Sequence, residues 1–178
     1  DRFNYADRYQ TPVTVLPDKQ LANSTQSIAP FDESDLIIDR GELVGPPDDY
    51  EEGDVEKGIQ KFERFKITES GVSPRPLPGT PGRIFWMTGD EHTEFGNITE
   101  KPEIRNPMHE KRMRKLDLVA KEIPIDKQYK LYGSEDADLI LVGWGSTKGA
   151  VLDAIPVLKE KHTGSLAYLH IRLRSPFP

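Results

Sequence analysis

The chain has 178 residues, a formal net charge of -6 and no cysteine. This length fits about one domain or two small ones. Without cysteine the chain cannot form a disulfide framework, a thiol nucleophile, or a cysteine-ligated zinc or iron–sulfur site. No apolar run approaches the roughly 20 residues of a membrane helix, so we expect no contact with a membrane. The excess of acidic residues argues against nucleic acid as a partner.

The acidic residues are concentrated in one block. Residues 31–60 contain 11 acidic and 2 basic residues, and Leu36-Ile37-Ile38 is the one compact apolar run within them. A block of this kind is usually a solvated loop, but it could also dock on a basic partner surface. Because no long periodic segment occurs between residues 25 and 60, we expect a connection that wraps a neighbouring domain.

The first half of the chain gives short predicted elements. Residues 3–9 read as the end of a helix, and residues 19–24 as a helical turn. Three segments are rich in β-branched and aromatic residues and are predicted to be strands: residues 12–16, 62–68 and 83–88. The first of them is expected to be buried.

A longer helix is predicted to begin at Asn106-Pro107, because Asn can cap a helix and Pro suits its first position. Pro124 marks its end. The expected apolar face consists of Met113, Leu116, Val119, Ala120 and Ile123, and most of the basic residues of the helix should take the other side: Arg112, Arg114, Lys115 and Lys121.

The last third gives the clearest architecture. Residues 139–142 form a continuous apolar run, which is typical of a strand covered on both faces. A helix is predicted from about Thr147 to Lys161, kinked by Pro156, and residues 166–173 form a second strand. Strand–helix–strand order predicts a parallel unit, so the fold class is α/β.

A polar cluster, Asp90, Glu91, His92 and Glu94, follows the predicted strand at residues 83–88. Strand ends often carry functional loops. Three interpretations stay open: a hydrogen-bonded structural loop, the edge of an active site or interface, and a metal site, which would imply a metal-dependent enzyme. The spacing matches neither HExxH nor an EF-hand loop.

The segment Gly143-x-Gly145-Ser146-Thr147 joins a strand to a helix start. Helix-terminal amides can hold a phosphate, but the third glycine of a dinucleotide signature is missing, and a tight turn capped by Ser or Thr is the alternative. His170 is expected to be a core or half-buried residue, and His109 and His162 to be surface residues. No Ser-His-Asp arrangement follows from the spacing.

Several phrases, in order, resemble the α subunit of 2-oxoacid:ferredoxin oxidoreductases, and in particular archaeal, heat-loving members. They are residues 12–24, residues 65–75, Pro78-Gly79, residues 88–100, Arg112-x-x-Lys115-Leu116 and residues 139–147. The resemblance implies that residues 1–24 end a pyrimidine-binding-type domain. Residues 25–105 would then be an interdomain connection. Residues 106–178 would begin a transketolase-C-like domain.

The resemblance also implies a function. In this family a 2-oxoacid and coenzyme A are converted to acyl-CoA and CO₂, with electrons passed to ferredoxin. Thiamine diphosphate, Mg²⁺ and [4Fe-4S] clusters are held largely outside the matching region, and a β subunit carries thiamine diphosphate and a cluster. We therefore expect a cytoplasmic hetero-oligomer in which this chain is structural, binds no cofactor alone and contributes no catalytic residue.

Both ends of the sequence suggest a fragment that is inactive alone, since it begins in a helix and closes after a strand-like run. The sequence leaves open whether the 2-oxoacid is pyruvate, 2-oxoglutarate or another. The alternative to the oxidoreductase interpretation is a free-standing acidic interaction module without catalysis.

Overall fold

The computed structural model describes residues 2–49, 51 and 62–178. Its described residues divide into two compact units: a first unit of Asp1–Val13 and Leu36–Leu118, and a second unit of Thr14–Asp35 and Val119–Pro178. The elements, in chain order, are α1 (Arg2–Tyr9), α2 (Lys19–Asn23), α3 (Pro102–Glu122), α4 (Ile125–Gln128), β1 (Tyr129–Tyr132), β2 (Leu139–Trp144), α5 (Thr147–Lys159) and β3 (Leu166–Ile171). None of the described helices is both long and apolar enough to span a membrane.

The first unit is built mainly from turns and extended segments packed against α1 and α3. Among the residues that the structure describes here, the large buried apolar side chains are Tyr9, Phe62, Val72 and Met108. Backbone hydrogen bonds link distant loops, such as Val44 N to Arg75 O at 3.0 Å and Phe65 N to Glu94 O at 2.8 Å. Hydrogen bonds between loops therefore supply much of the order that a larger core would otherwise provide.

The two predicted helices at the start of the chain are confirmed as α1 and α2. The three strands predicted at residues 12–16, 62–68 and 83–88 are wrong, since none of these segments lies in the sheet. Strand propensity is realised only where a partner strand completes the ladder, and no other described strand pairs with them. The first of these segments is also exposed rather than buried.

Helix α3 begins at Pro102, not at Asn106, so Pro107 lies inside the helix. Pro102 has no amide to leave unbonded, which suits a first helical position. The buried face was predicted only in part. Val119 and Ile123 are buried and Leu116 is half-buried as expected, but Met113 and Ala120 are exposed. Met108 and Lys111, which were not predicted, are buried. The predicted end before Pro124 is confirmed.

The second unit contains a three-stranded sheet in the order β1-β3-β2. The predicted β2-α5-β3 parallel unit is confirmed, with Leu139 opposite Leu166 and Trp144 opposite Ile171. Strand β1, which was not predicted, pairs antiparallel with β3, so the sheet is mixed. Tyr168 lies on the central strand and is completely buried, as is Ala167 beside it.

Strand β2 was predicted to be covered on both faces, and within this chain it is not. Leu139, Ile140 and Val142 are exposed, Val142 to 62%. Helix α5 packs lightly, with Val151, Leu152 and Ile155 half-buried and the expected fourth face residue, Leu158, exposed. These side chains of β2 therefore present apolar surface that neither the sheet nor α5 removes from water.

The acidic block is exposed through most of its described length, residues 31–49 and 51. Residue 50 and residues 52–60 of the block lie outside the described residues. His170 is half-buried as predicted, and its Nδ1 lies 3.1 Å from the Tyr168 hydroxyl. His109 and His162 are exposed, as predicted.

Candidate functional site

The predicted polar cluster lies at the start of a tight hairpin in the first unit, residues 91–99. Thr93 N donates to Asn97 O and Gly96 N donates to Thr93 O, both at 2.9 Å, and His92 bridges to Ile98. Gly96 has a φ of 88°, in the left-handed region, and its backbone lies against the Trp86 carbonyl. A side chain at position 96 would therefore be strained and would clash, so the hairpin requires glycine there.

Glu91 fastens this hairpin to α3. Its two carboxylate oxygens accept hydrogen bonds from Arg112 at 3.0 and 2.6 Å, a bidentate pair. Donation from the Arg112 guanidinium holds the pKa of Glu91 below its usual value. Because both oxygens are already committed to Arg112, Glu91 is a hairpin anchor and not a free acid or base.

His92 and Glu94 face the segment at residues 65–67. The His92 ring lies 4.1 Å from the ring of Phe65, and its Nδ1 lies 2.9 Å from Thr93 O. A Glu94 carboxylate oxygen accepts from Ile67 N at 2.6 Å. These two side chains dock the hairpin against its neighbouring loop.

Asp90 is exposed and makes only local contacts, with its amide 3.1 Å from the Thr88 hydroxyl. Across the described ranges, no three His, Asp or Glu side chains converge closely enough to hold a metal ion. Two of the predicted ligands, Glu91 and Glu94, already hold other groups. These four residues therefore do not form the ligand set that the metal-site interpretation requires.

Beside the hairpin, α3 carries two lysines that point into the first unit. Lys111 is only 3% exposed and donates to Phe65 O at 2.7 Å, and Lys115 donates to Gln10 O at 2.9 Å. Arg64 donates to the Gln10 side-chain oxygen at 2.9 Å. Burial, and then the neighbouring cations, lowers the pKa of Lys111 to about 7 and that of Lys115 to about 8.

These lysines were missed from the sequence, and Lys115 was assigned to the solvent side of the helix. The signal was present in the spacing: Met108, Lys111, Lys115 and Val119 recur at three and four residues, as one helix face does. A lysine is not expected on a buried face, because an unpaired buried ammonium is costly. Backbone carbonyls from distant segments accept hydrogen bonds from both ammonium groups. The sequence alone does not predict these partners.

A groove of about 470 Å³ lies in the first unit between this hairpin and the start of α3. It is lined by Ile67, Thr93, Glu94, Phe95, Asn97, Glu103, Ile104, Pro107 and Met108. The groove is mostly apolar and open at the surface. A surface of this type suits contact with another chain segment better than acid–base chemistry, because it brings no activated nucleophile or acid–base pair together.

In the second unit, the predicted corner at Gly143–Thr147 is a tight turn with Gly145 at a φ of 67°. The expected cap by Ser146 or Thr147 is wrong. The Ser146 side chain makes no capping bond, and the Thr147 hydroxyl donates back to Trp144 O at 2.7 Å. The Ser146 amide is instead bound by a carboxylate oxygen of Asp18, at 2.6 Å.

Comparison with known proteins finds relatives that match nearly the whole of this chain. No family model matches the chain. The chain is 40% identical to the α subunit of 2-oxoacid:ferredoxin oxidoreductase 1 from Aeropyrum pernix over 178 residues, covering 100% of this chain and 26% of that protein. It is also 40% identical to the corresponding α subunit from Saccharolobus solfataricus, covering 99% of this chain and 26% of that one.

A solved structure agrees with these relatives. The 2-oxoglutarate:ferredoxin oxidoreductase from Magnetococcus marinus, with 2-oxoglutarate, coenzyme A and succinyl-CoA bound, matches with a TM-score of 0.77 at 31% identity. The match covers 98% of this chain and 28% of that chain. This chain is a homologue of part of the 2-oxoacid:ferredoxin oxidoreductase α subunit. The resemblance predicted from the sequence phrases is confirmed.

The chain spans about a quarter of the length of these curated α subunits. Its own residues do not fit one of the cofactors that the family implies, because the chain has no cysteine to ligate an iron–sulfur cluster. No step of the reaction can therefore be assigned to a cluster held on cysteines of this chain.

Proposed function

We propose that this chain is the assembly segment of an α subunit in a ferredoxin-dependent 2-oxoacid oxidoreductase. The complete enzyme converts a 2-oxoacid and coenzyme A to acyl-CoA and CO₂, and passes electrons to ferredoxin. A β subunit and the rest of the α subunit hold thiamine diphosphate, Mg²⁺ and the iron–sulfur cluster. This division is supported by the similarity to α subunits and by the absence of cysteine from the chain.

The proposal includes the domain arrangement given by the resemblance. Residues 1–24 end a pyrimidine-binding-type domain, and residues 106–178 begin a transketolase-C-like domain. Residues 25–105 form the connection between these two domains. The β2-α5-β3 parallel unit supports the last assignment, because a transketolase-C-like domain is an α/β domain with such units. The hairpin cluster Asp90, Glu91, His92 and Glu94 is proposed as an interface edge within that arrangement.

One observation carries the assembly role: the apolar triplet Leu36-Ile37-Ile38 is exposed while its backbone is held. The three side chains are 68%, 77% and 71% exposed. Asn4 of α1 donates to Ile37 O at 2.7 Å and accepts from Asp39 N at 3.2 Å. Two hydrogen bonds thus fix the segment that presents three large apolar side chains to water.

The energetic argument follows from burial. Covering one such Leu or Ile side chain is worth roughly 1.5–3 kcal/mol. Because the triplet is already held by α1, a partner that covers it gains this free energy with less ordering cost than a loose loop would incur. A neighbouring domain or subunit of the oxidoreductase is the partner that the family assignment supplies.

The competing candidate is a free-standing acidic module that binds a basic surface. The exposed acidic residues around the triplet favour it, and it makes a different prediction. Binding through exposed charge weakens steeply as salt rises, whereas binding through the apolar triplet does not. Salt dependence therefore separates the two functions.

The test is an Ile37→Asp substitution in the α subunit that contains this sequence, co-expressed with its β subunit. Ile37→Asp removes an isoleucine that the partner would bury, so assembly should weaken by about tenfold or more. The readout is native mass across a dilution series. Gln26→Asp adds the same charge at an exposed position and should leave assembly unchanged. Assembly of Ile37→Asp that equals the wild type at every dilution, or wild-type assembly abolished by salt, would sink the proposal.

A further inference from the structure

Residues 12–38 lie almost entirely at the surface of the chain. Asp18 is the one residue among them that is not exposed. Its carboxylate also makes a long-range contact within the second unit, since it accepts a hydrogen bond from the amide of Ser146, 128 residues further along the chain. The attachment of α2 to the rest of the second unit therefore depends heavily on this one side chain.

The Asp18 carboxylate bridges two helix starts. One oxygen accepts from Leu21 N at 2.8 Å and caps α2. The other accepts from Ser146 N at 2.6 Å, at the position that precedes α5. Each helix start leaves unbonded amides and a partial positive charge, which a carboxylate satisfies better than a neutral group does.

The corner around Ser146 is shaped for this carboxylate. The Ser146 side chain makes no capping hydrogen bond of its own. A Cβ atom on Gly145 would lie 2.7 Å from the Asp18 oxygen, and Gly145 has a φ of 67°. Glycine at position 145 therefore leaves room for the carboxylate as well as for the turn.

The protonation behaviour of Asp18 agrees with this geometry. Hydrogen bonds from the Ser146 side chain, and then from the amides of Leu21 and Ser146, hold the pKa of Asp18 below its usual value. The charged form is the bound form, as expected for an anion held by amides.

We propose that Asp18 is a clasp: an internal carboxylate that fills the amide corner before α5 and straps α2 onto the β2-α5-β3 unit. The glycine-containing corner that resembles a phosphate-binding turn is thus satisfied by the chain itself. The contact between α2 and the start of α5 is releasable, because it depends on one side chain, and its loss frees α2 without unfolding the sheet.

The test uses hydrogen exchange of the α subunit, in complex with its β subunit, read on peptides covering α2 and the start of α5. Asp18→Ala should speed exchange at both by about five- to tenfold, the usual effect of losing a helix cap. Asp18→Asn keeps one acceptor oxygen and should speed exchange at one of the two places more than at the other. Peptides from β3 should be unchanged in both variants.

Formate is the probe for the emptied corner. In Asp18→Ala it should slow exchange at the start of α5 but not at α2, and neutral formamide should not. Gly145→Ala, in a chain that retains Asp18, should reproduce the faster exchange at α2. Exchange in Asp18→Ala within twofold of wild type overturns the clasp, and so does rescue by formamide equal to that by formate. Assembly defects of Ile37→Asp test the proposed function independently of these results.

Discussion

Tyr168 offers the sharpest test of how the second unit is held together. It lies on the central strand β3 and is completely buried. Its ring stacks on Tyr132 with centroids 6.0 Å apart, and its hydroxyl lies 3.1 Å from His170 Nδ1. Replacing this side chain therefore removes contacts with both the neighbouring strand β1 and the end of β3 itself.

The expected magnitude can be divided into two parts. Tyr168→Ala creates a cavity and should cost about 3–5 kcal/mol, as large aromatic-to-alanine changes in cores do. Tyr168→Phe keeps the ring and loses one hydrogen bond, which should cost about 1 kcal/mol. Most of the loss should therefore come from the ring and not from the hydroxyl.

Hydrogen exchange of β3 peptides measures this directly. A loss of 3–5 kcal/mol corresponds to roughly 10²- to 10⁴-fold faster exchange where β3 opens as a unit, and the phenylalanine variant should exchange about fivefold faster. Phe177→Ala, at a site that is 72% exposed, is the matched control and should change nothing. Exchange of Tyr168→Ala within threefold of wild type would refute the packing argument.

The remaining predictions concern the first unit. Since the pKa values of Lys111 and Lys115 are lowered to about 7 and 8 in the fold, the unfolded chain binds more protons from there to about pH 10.5. Stability should rise with pH across that window, by at most about 1.4 kcal/mol per pH unit per lysine. Thermal melts at pH 7 to 9 should show the rise, and Lys111→Met should flatten it; an equal slope in the variant would count against burial as its cause.

Glu91→Gln should loosen the hairpin by no more than about 1 kcal/mol, because the pair with Arg112 is partly exposed. The pKa of Glu91 is lowered, so its contribution is present above pH 4.5 and lost as the pH falls below that value. Exchange of hairpin peptides at pH 7 and pH 4 reads both effects. Gly96→Ala should disorder the same peptides more than Glu91→Gln does, and the reverse order would contradict the hairpin geometry.

The sequence predicted local features well. The apolar run at residues 139–142, the glycine turn and the next apolar helix face specify the β2-α5-β3 unit through neighbouring residues alone. The sequence-based predictions failed where contacts between distant segments decide the local structure. Residues 12–16 have strand composition but no partner strand, and Lys111 is buried because Phe65, 46 residues away, offers a carbonyl.

The candidate site shows the same division. The cluster at residues 90–94 was found from its composition, yet its partners Arg112 and Ile67 are set by tertiary packing. Asp18 caps α2 through a nearby amide, but its second partner, Ser146, is 128 residues away. Pairings at such separations leave no periodic signal in a single sequence.

The most direct test of the oxidoreductase assignment is the native mass and absorption spectrum of the assembly that contains this chain in its source cells. The account predicts a particle much larger than 20.2 kDa, brown from iron–sulfur clusters held on cysteines outside this sequence, with thiamine diphosphate released on denaturation. A colourless monomer of 20.2 kDa without thiamine diphosphate would contradict it.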